Sequence, residues 1–213
     1  MQWYDFFSFF YDSALEKRYH RFREQAFCPK TMGSGRLVLD LACGTGQNFG
    51  YIRSTYGDEQ TKILGVDFSK GMLKKAEKRA KKNGWQDVYC LHKDAREVSE
   101  SDLLETLGAP QVDCVVCALG LSAIPDWKVA FGRTFTLLKP GGRYVIFDVH
   151  AEERGFHTRK VEWVAKADAC RRVWEPLEEV AQEFSMEFMD NSEKEFGGRL
   201  FVASGLKAIP SSR

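Results

Sequence analysis

Residues 38–50 read VLDLACGTGQNFG, and the parsing of this run decides the fold. Its first part is apolar and short, as a buried strand is. It breaks at Gly44-Thr45-Gly46 and resumes with residues fit to start a helix. Strand, glycine loop and helix in that order form the opening unit of an open α/β sheet. Gly44 and Gly46 allow a tight turn and a close approach of backbone to a ligand. The helix start beyond them offers free N–H groups.

Working outward, short apolar runs recur as RLVLDLA (36–42), KILGVDF (62–68), DVYCLHKD (87–94), VDCVVCAL (112–119) and GRYVIFDV (142–149). Helix-like stretches separate them, which predicts a parallel sheet. Lys70 to Asn83 is such a stretch, with Met72, Leu73, Ala76 and Ala80 as its apolar stripe, a lysine-rich solvated face, and Gly84 as a cap. A helix is expected over Ala165–Phe184. FSMEFMD (184–190) and GRLFVASGL (198–206) then read as two strands. Their connection is too short for a parallel crossover, so this pair is expected to be antiparallel. Cys114 and Cys117 form a CxxC inside an apolar strand. Three residues apart, they point to opposite sheet faces and are read as buried thiols, not a metal or redox pair.

The chain has 213 residues, 44% hydrophobic and 29% charged, with a net charge of +1. That composition predicts a globular single domain over 1–213; the strand runs put its core over 36–207, and the N-terminal aromatic, helical stretch over 1–30 is expected to be a lid. The near-zero charge argues against nucleic acid as a partner. No apolar run approaches the roughly 18 residues of a membrane span, and no signal peptide is read. Together with six cysteines and no disulfide pattern, this predicts a reduced, cytoplasmic protein.

The glycine loop departs from the phosphate-binding patterns. The third glycine of a GxGxxG is missing, no Gly-Lys-Ser/Thr follows, and no Lys or Arg stands in the loop. An acid, Asp40, closes the strand. Such a loop suits a ligand with an ammonium and a sulfonium better than one with phosphates. LDLACGTG resembles the first motif of class I S-adenosylmethionine-dependent methyltransferases. Further matches follow in order: Asp67 in ILGVDFSKGML, Asp94 in HKDA, and LLKPGGRYVIFD leading into the fifth strand. The family's sheet also ends in an antiparallel hairpin, so the resemblance covers about Tyr11 to Lys207. It implies a Rossmann-like seven-stranded sheet, helices on both faces, with S-adenosylmethionine as cofactor and S-adenosylhomocysteine as product. It implies cofactor contacts from Tyr11, Asp40, Ala42, Gly44, Thr45, Gly46, Asn48, Asp67, Phe68, Met72, Asp94, Ala95 and Ala118. Asp67 would accept from the ribose hydroxyls and Asp94 from the adenine amine, with Phe68 and Met72 flanking the base. The plainer alternative is that Asp67 and Asp94, as strand-end acids, cap the following helices, and Asp40 the loop; the position at the C-terminal sheet edge favours ligand contact for Asp67 and Asp94.

Methyl transfer needs alignment and exclusion of water, and a base only where the acceptor must lose a proton. His150, beside Asp148 at the end of the fifth strand, is the best-placed candidate, against the plainer reading of a hydrogen-bonded histidine. No acid-and-proline motif for nucleobase amines follows the fourth strand. Leu119, Leu121, Ile124 and Trp127 offer apolar surface there instead. GLSAIPDW looks similar to lipid-headgroup N-methyltransferases and to quinone-ring C-methyltransferases. The expected acceptor is an amine of a lipid headgroup or amphiphilic small molecule, with O- or C-methylation of a quinone-like ring as the alternative. A nicotinamide oxidoreductase and a non-catalytic cofactor-binding protein are the remaining rivals. Ala151–Trp163 is expected to be a charged loop, with Arg154, Arg159 and Lys160 either meeting an anionic headgroup or merely solvated.

Seven of the eleven residues from Met1 to Tyr11 are aromatic. They suit a lid over an apolar acceptor, a peripheral membrane contact, or plain packing. Ser13 and Glu16 read as a capping box. The helix after them carries Leu15, Tyr19, Phe22 and Ala26 on one stripe and stops before Pro29.

Overall fold

A computed structural model describes residues 17–57, 61–191 and 193–210. The opening aromatic stretch, Tyr11, the Ser13/Glu16 pair and Leu15 lie outside the described residues.

Seven strands form one sheet in the order β3-β2-β1-β4-β5-β7-β6. They are β1 Leu37–Leu41, β2 Lys62–Asp67, β3 Val88–His92, β4 Val112–Ala118, β5 Leu138–His150, β6 Gln182–Phe188 and β7 Arg199–Leu206. β1 to β5 run parallel; β7 is antiparallel to both β5 and β6. The expected terminal hairpin is present, and β7 inserts between its partner and β5.

Both faces are covered, because the central strands are apolar on both sides. On one face, Val38, Cys114, Val116 and Phe147 pack under α1 (helical over 17–26), α3 (Phe49–Tyr56) and α4 (Lys70–Lys82). On the other, Leu39, Leu41, Val115, Cys117 and Ile146 meet α5 (Glu100–Leu107), α6 (Trp127–Thr136) and α8 (Glu175–Val180). Cys114 and Cys117 are fully buried on opposite faces, as the strand period requires. In α1, Phe22 and Ala26 are buried, and Phe22 meets Phe196 edge-on at 5.5 Å. Pro29 opens the next short helix, α2 (Pro29–Met32), because a missing N–H costs nothing in a first turn. α4 follows its expected stripe, with the Ser69 hydroxyl accepting from Met72 N at 3.2 Å.

The segment after β5 corrects the sequence reading. The stretch 151–163 is not a loop, and 165–184 is not one helix. Instead α7 spans Phe156–Ala165 and α8 spans Glu175–Val180, with α9 at Glu193–Phe196. Pro176 explains the second half: it cannot sit inside a helix, but it fits the first turn of one. Lys166 adopts φ +52° and ends α7. Glu162 then accepts from the Ala169 N–H at 2.9 Å, which folds the following turn back on the helix.

Candidate functional site

The sheet's strand order reverses direction between β1 and β4, and ligands of open α/β sheets bind at that edge. A cleft of about 530 Å³ lies there. Two non-glycine residues beside it hold left-handed backbone, Ala42 after β1 (φ +52°) and Leu119 after β4 (φ +55°). Each costs roughly 1–2 kcal/mol. Gly120 lets the two turns meet, since a Cβ there would lie 2.9 Å from the Ala42 Cβ.

The glycine loop forms one wall. Gly44 and Gly46 have φ +57° and +74°. A Cβ on Gly44 would meet nothing within 4 Å, so the loop there borders open space. A Cβ on Gly46 would lie 2.5 Å from the Phe49 ring. Gly65 of β2 touches the same ring from the other side. The Phe49 ring thus packs against two glycines, Gly46 and Gly65. Arg79 of α4 donates to the Thr45 carbonyl at 3.1 Å and fixes the loop from outside.

Asp67 ends β2 and is 8% exposed. Its carboxylate accepts from Gly44 N–H at 2.9 Å and Ser69 N–H at 2.8 Å. One acid therefore joins the glycine loop to the start of α4. Burial raises its pKa, against the pull of those two N–H groups. Each carboxylate oxygen keeps a lone pair for a ligand. Asp94 lies two residues beyond β3 and is paired side-on with Arg96, at 2.6 and 3.0 Å. The Arg96 hydrogen bonds hold its pKa below the usual carboxylate range. Arg96 also bridges to Asp126 at 2.8 Å.

Of the residues expected at a cofactor, Ala42, Gly44, Thr45, Asn48 and Asp67 line the cleft. So do Phe68, Met72, Asp94, Ala95 and Ala118. Gly46 does not line it, being turned against Phe49. Asp40 does not reach it either. It is fully buried in β1 and receives the Asn48 amide at 3.0 and 3.2 Å. The Asn48 carbonyl in turn accepts from Arg23 Nε at 3.0 Å. A buried polar chain, Arg23–Asn48–Asp40, thus ties helix α1 to the cleft floor.

His150 corrects the reading of a base. The period of β5 sends Val149 into the cleft and the His150 ring to the opposite face. There it is 4% exposed, edge-on to Trp174 at 4.9 Å and 6.5 Å from Phe188. Asp148 is buried on that face and accepts from the Ser122 N–H and hydroxyl at 3.1 and 2.7 Å. It holds the loop after β4 rather than a proton relay. Arg171 grips the same loop, donating to the carbonyls of Ser122 and Ile124 at 3.2 and 2.8 Å.

Leu119 and Ile124 line the cleft as expected, while Leu121 is buried away from it. Sequence reading missed Tyr19 and Arg23 of α1, and Val161, Glu162, Val164, Ala165, Lys166, Ala167 and Ala169 in and after α7, which complete the wall. The spacing of Val161, Val164 and Ala165 was the available signal. Arg154 is not aimed at a ligand: it pairs with Glu162 at 3.3 Å and Asp168 at 2.6 Å.

Residues 38–142 match the family described as "Methyltransferase domain". Over these residues the chain is similar to methyltransferase domains. Among curated relatives, the demethylmenaquinone methyltransferase of Bacillus velezensis is 27% identical over 137 residues, which is 64% of this chain and 55% of that protein. The chain thus spans about half the length of the curated relatives it matches. Among solved structures, phosphoethanolamine N-methyltransferase 2 of Haemonchus contortus superposes with a TM-score of 0.65 at 18% identity, over 88% of this chain and 52% of that one. Geranyl diphosphate C-methyltransferase of Streptomyces coelicolor A3(2) gives 0.69 at 12% identity, over 90% and 82%. The fold, with its antiparallel end, is therefore shared with these methyltransferases, and the matched stretch includes the glycine loop at 43–46.

Buried acids beneath this domain's cleft set its expected pH response. Burial raises Asp40 to about 7, over the opposing Asn48 hydrogen bond, and raises Asp148 to about 6. A folded pKa above the unfolded value of about 3.9 means that the folded state keeps a proton the unfolded chain releases. Their contribution is therefore full below about pH 4 and is lost as pH rises toward 6 to 7. Asp40→Asn removes one of the two titrations. Its melting temperature is expected to fall less than the parent's between pH 4.5 and 7.5, by circular dichroism; equal slopes would show that Asp40 does not titrate in that window.

Proposed function

We propose that the chain is an S-adenosylmethionine-dependent methyltransferase whose acceptor is an amphiphilic small molecule reacting at a quinone-like aromatic ring. The observation that carries this reading is the division of one cleft into two unlike halves. Near β1, β2 and β3 it offers a glycine loop without Lys or Arg, the Asp67 carboxylate and open space above Gly44. Toward β4 and α7 it offers Leu119, Ile124, Val149, Val161 and Val164.

The first half fits the cofactor. Asp67 would accept the ribose hydroxyls, Asp94 the adenine amine and Asn48 the amino-acid end, with Phe68 and Met72 beside the base. The cofactor supplies a methyl group activated by a sulfonium. The residues here would align the acceptor, and Leu119, Ile124, Val149, Val161 and Val164 would keep water from the transferring methyl. The curated relatives' names point the same way as the apolar wall. A lipid amine is the second reading, supported by Tyr19 and Glu162 on the wall, a ring and a carboxylate suited to an ammonium. Glu162 already accepts from Arg154 and Ala169, so it ranks second.

Calorimetric titration with S-adenosylhomocysteine and with NADH tests the cofactor. Micromolar binding of the first and none of the second is expected; the reverse would overturn the reading in favour of an oxidoreductase. Turnover against a short-chain naphthoquinol and against phosphatidylethanolamine then separates ring from amine.

A further inference from the structure

Helix α7 has two faces of different chemistry. Its inner face carries Val161, Glu162, Val164 and Ala165 along the cleft. Its outer arc carries Phe156, Arg159, Lys160 and Trp163. At 100° per residue, Phe156 and Trp163 fall about 20° apart, at the centre of that arc. Arg159 lies to one side of them and Lys160 and His157 to the other. Phe156 is 80% exposed and Trp163 61% exposed, the two largest rings so placed among the described residues. The Lys166 ammonium lies 5.4 Å from the Trp163 ring centroid. No acid stands on the arc. The nearby acids are elsewhere: Glu152 and Glu153 precede the helix, and Glu162 and Asp168 are paired with Arg154.

We propose that the outer arc of α7 is a docking surface for an anionic lipid bilayer. Rings at the centre of an exposed arc with cations at its edges match the water–lipid boundary, where rings enter the headgroup layer and cations meet lipid phosphates. The charge selects the occupant: an apolar protein groove would leave Arg159 and Lys160 unused, and an anionic headgroup layer uses both. The other face of the same ten-residue helix is a wall of the cleft. Docking therefore brings the apolar half of the cleft to the bilayer surface. The surface stands independently of the acceptor assigned above, because binding to lipid needs no turnover.

Co-sedimentation of the full chain with sucrose-loaded vesicles tests this. Vesicles of phosphatidylcholine with about one-third phosphatidylglycerol are compared with phosphatidylcholine alone at low salt. Partitioning onto the anionic vesicles is expected to be at least tenfold stronger and to fall with added salt. Phe156→Ser with Trp163→Ser, and separately Arg159→Glu with Lys160→Glu, are each expected to lose at least tenfold. S-adenosylhomocysteine affinity and the melting temperature should stay at parental values, since these four side chains lie outside the cleft. Equal partitioning onto both vesicle types, or anionic binding indifferent to both double variants, would overturn the proposal. Sedimentation velocity without lipid checks the rival occupant. A concentration-dependent dimer abolished by the ring variant, with vesicle binding intact, would make the arc an interface between copies instead.

Discussion

Asp67→Ala is expected to weaken S-adenosylhomocysteine binding by at least a hundredfold and to lower stability as well. The carboxylate does two things at once. It faces the cleft, and it accepts the N–H groups of Gly44 and Ser69. Hydrogen bonds to a charged group contribute about 1.5–3 kcal/mol each. Removing the acid leaves two backbone donors without that acceptor and deletes the proposed ribose contacts. The loop then loses its fixed position relative to α4. Asp67→Asn separates the two roles, because its carbonyl can still accept from one N–H. It is expected to keep most of the stability and still bind at least tenfold more weakly. Binding by calorimetry and melting by circular dichroism read the two separately. Parental affinity in the Ala variant would sink the ribose assignment.

The two loop glycines are expected to fail in different ways. Gly46→Ala should destabilise the fold by about 3 kcal/mol or more, because the left-handed backbone costs 1–2 kcal/mol and the new methyl overlaps the Phe49 ring. A Cβ on Gly46 would also lie 3.2 Å from the Ala76 backbone, so a shift of the Phe49 ring alone does not make room for it. Gly44→Ala carries the same kind of backbone strain but meets no atom. It should cost only about 1–2 kcal/mol in stability. Its methyl enters the space proposed for the cofactor, so affinity should drop more than tenfold. Chemical denaturation and ligand titration of both variants test this crossing pattern. Equal losses of stability would show that the loop relaxes around Phe49.

The fold was legible because its strands are apolar on both faces and its loops carry glycine at turns that need it. The run at 38–50 suffices to place β1, the loop and α3. Local pattern failed after β5, where Pro176 was overlooked and α7 begins without a capping side chain. It failed for His150 for another reason. Residue spacing locates a side chain along a strand, but which face holds the cleft is set by α1 and α7, elements distant in sequence. Asp40 shows the same limit. It stands at a motif position, yet the Asn48 side chain stands between it and the cleft wall. The α7 wall is signalled in the sequence only by the spacing of Val161, Val164 and Ala165.

The place of β7 bears on how the molecule is made. β7, the last in sequence of the described strands, is an interior strand, paired along β5 from Arg143 to His150 and also to β6. Translation at roughly 5–20 residues per second leaves the β5 edge bare for about three to ten seconds while residues 151–206 are added. During that interval the nascent chain presents Tyr144, Ile146 and neighbours along an open edge, the kind of surface that chaperones guard against joining with another chain. Codon choice between α7 and β7 is therefore expected to change the yield of folded chain, independently of its final stability.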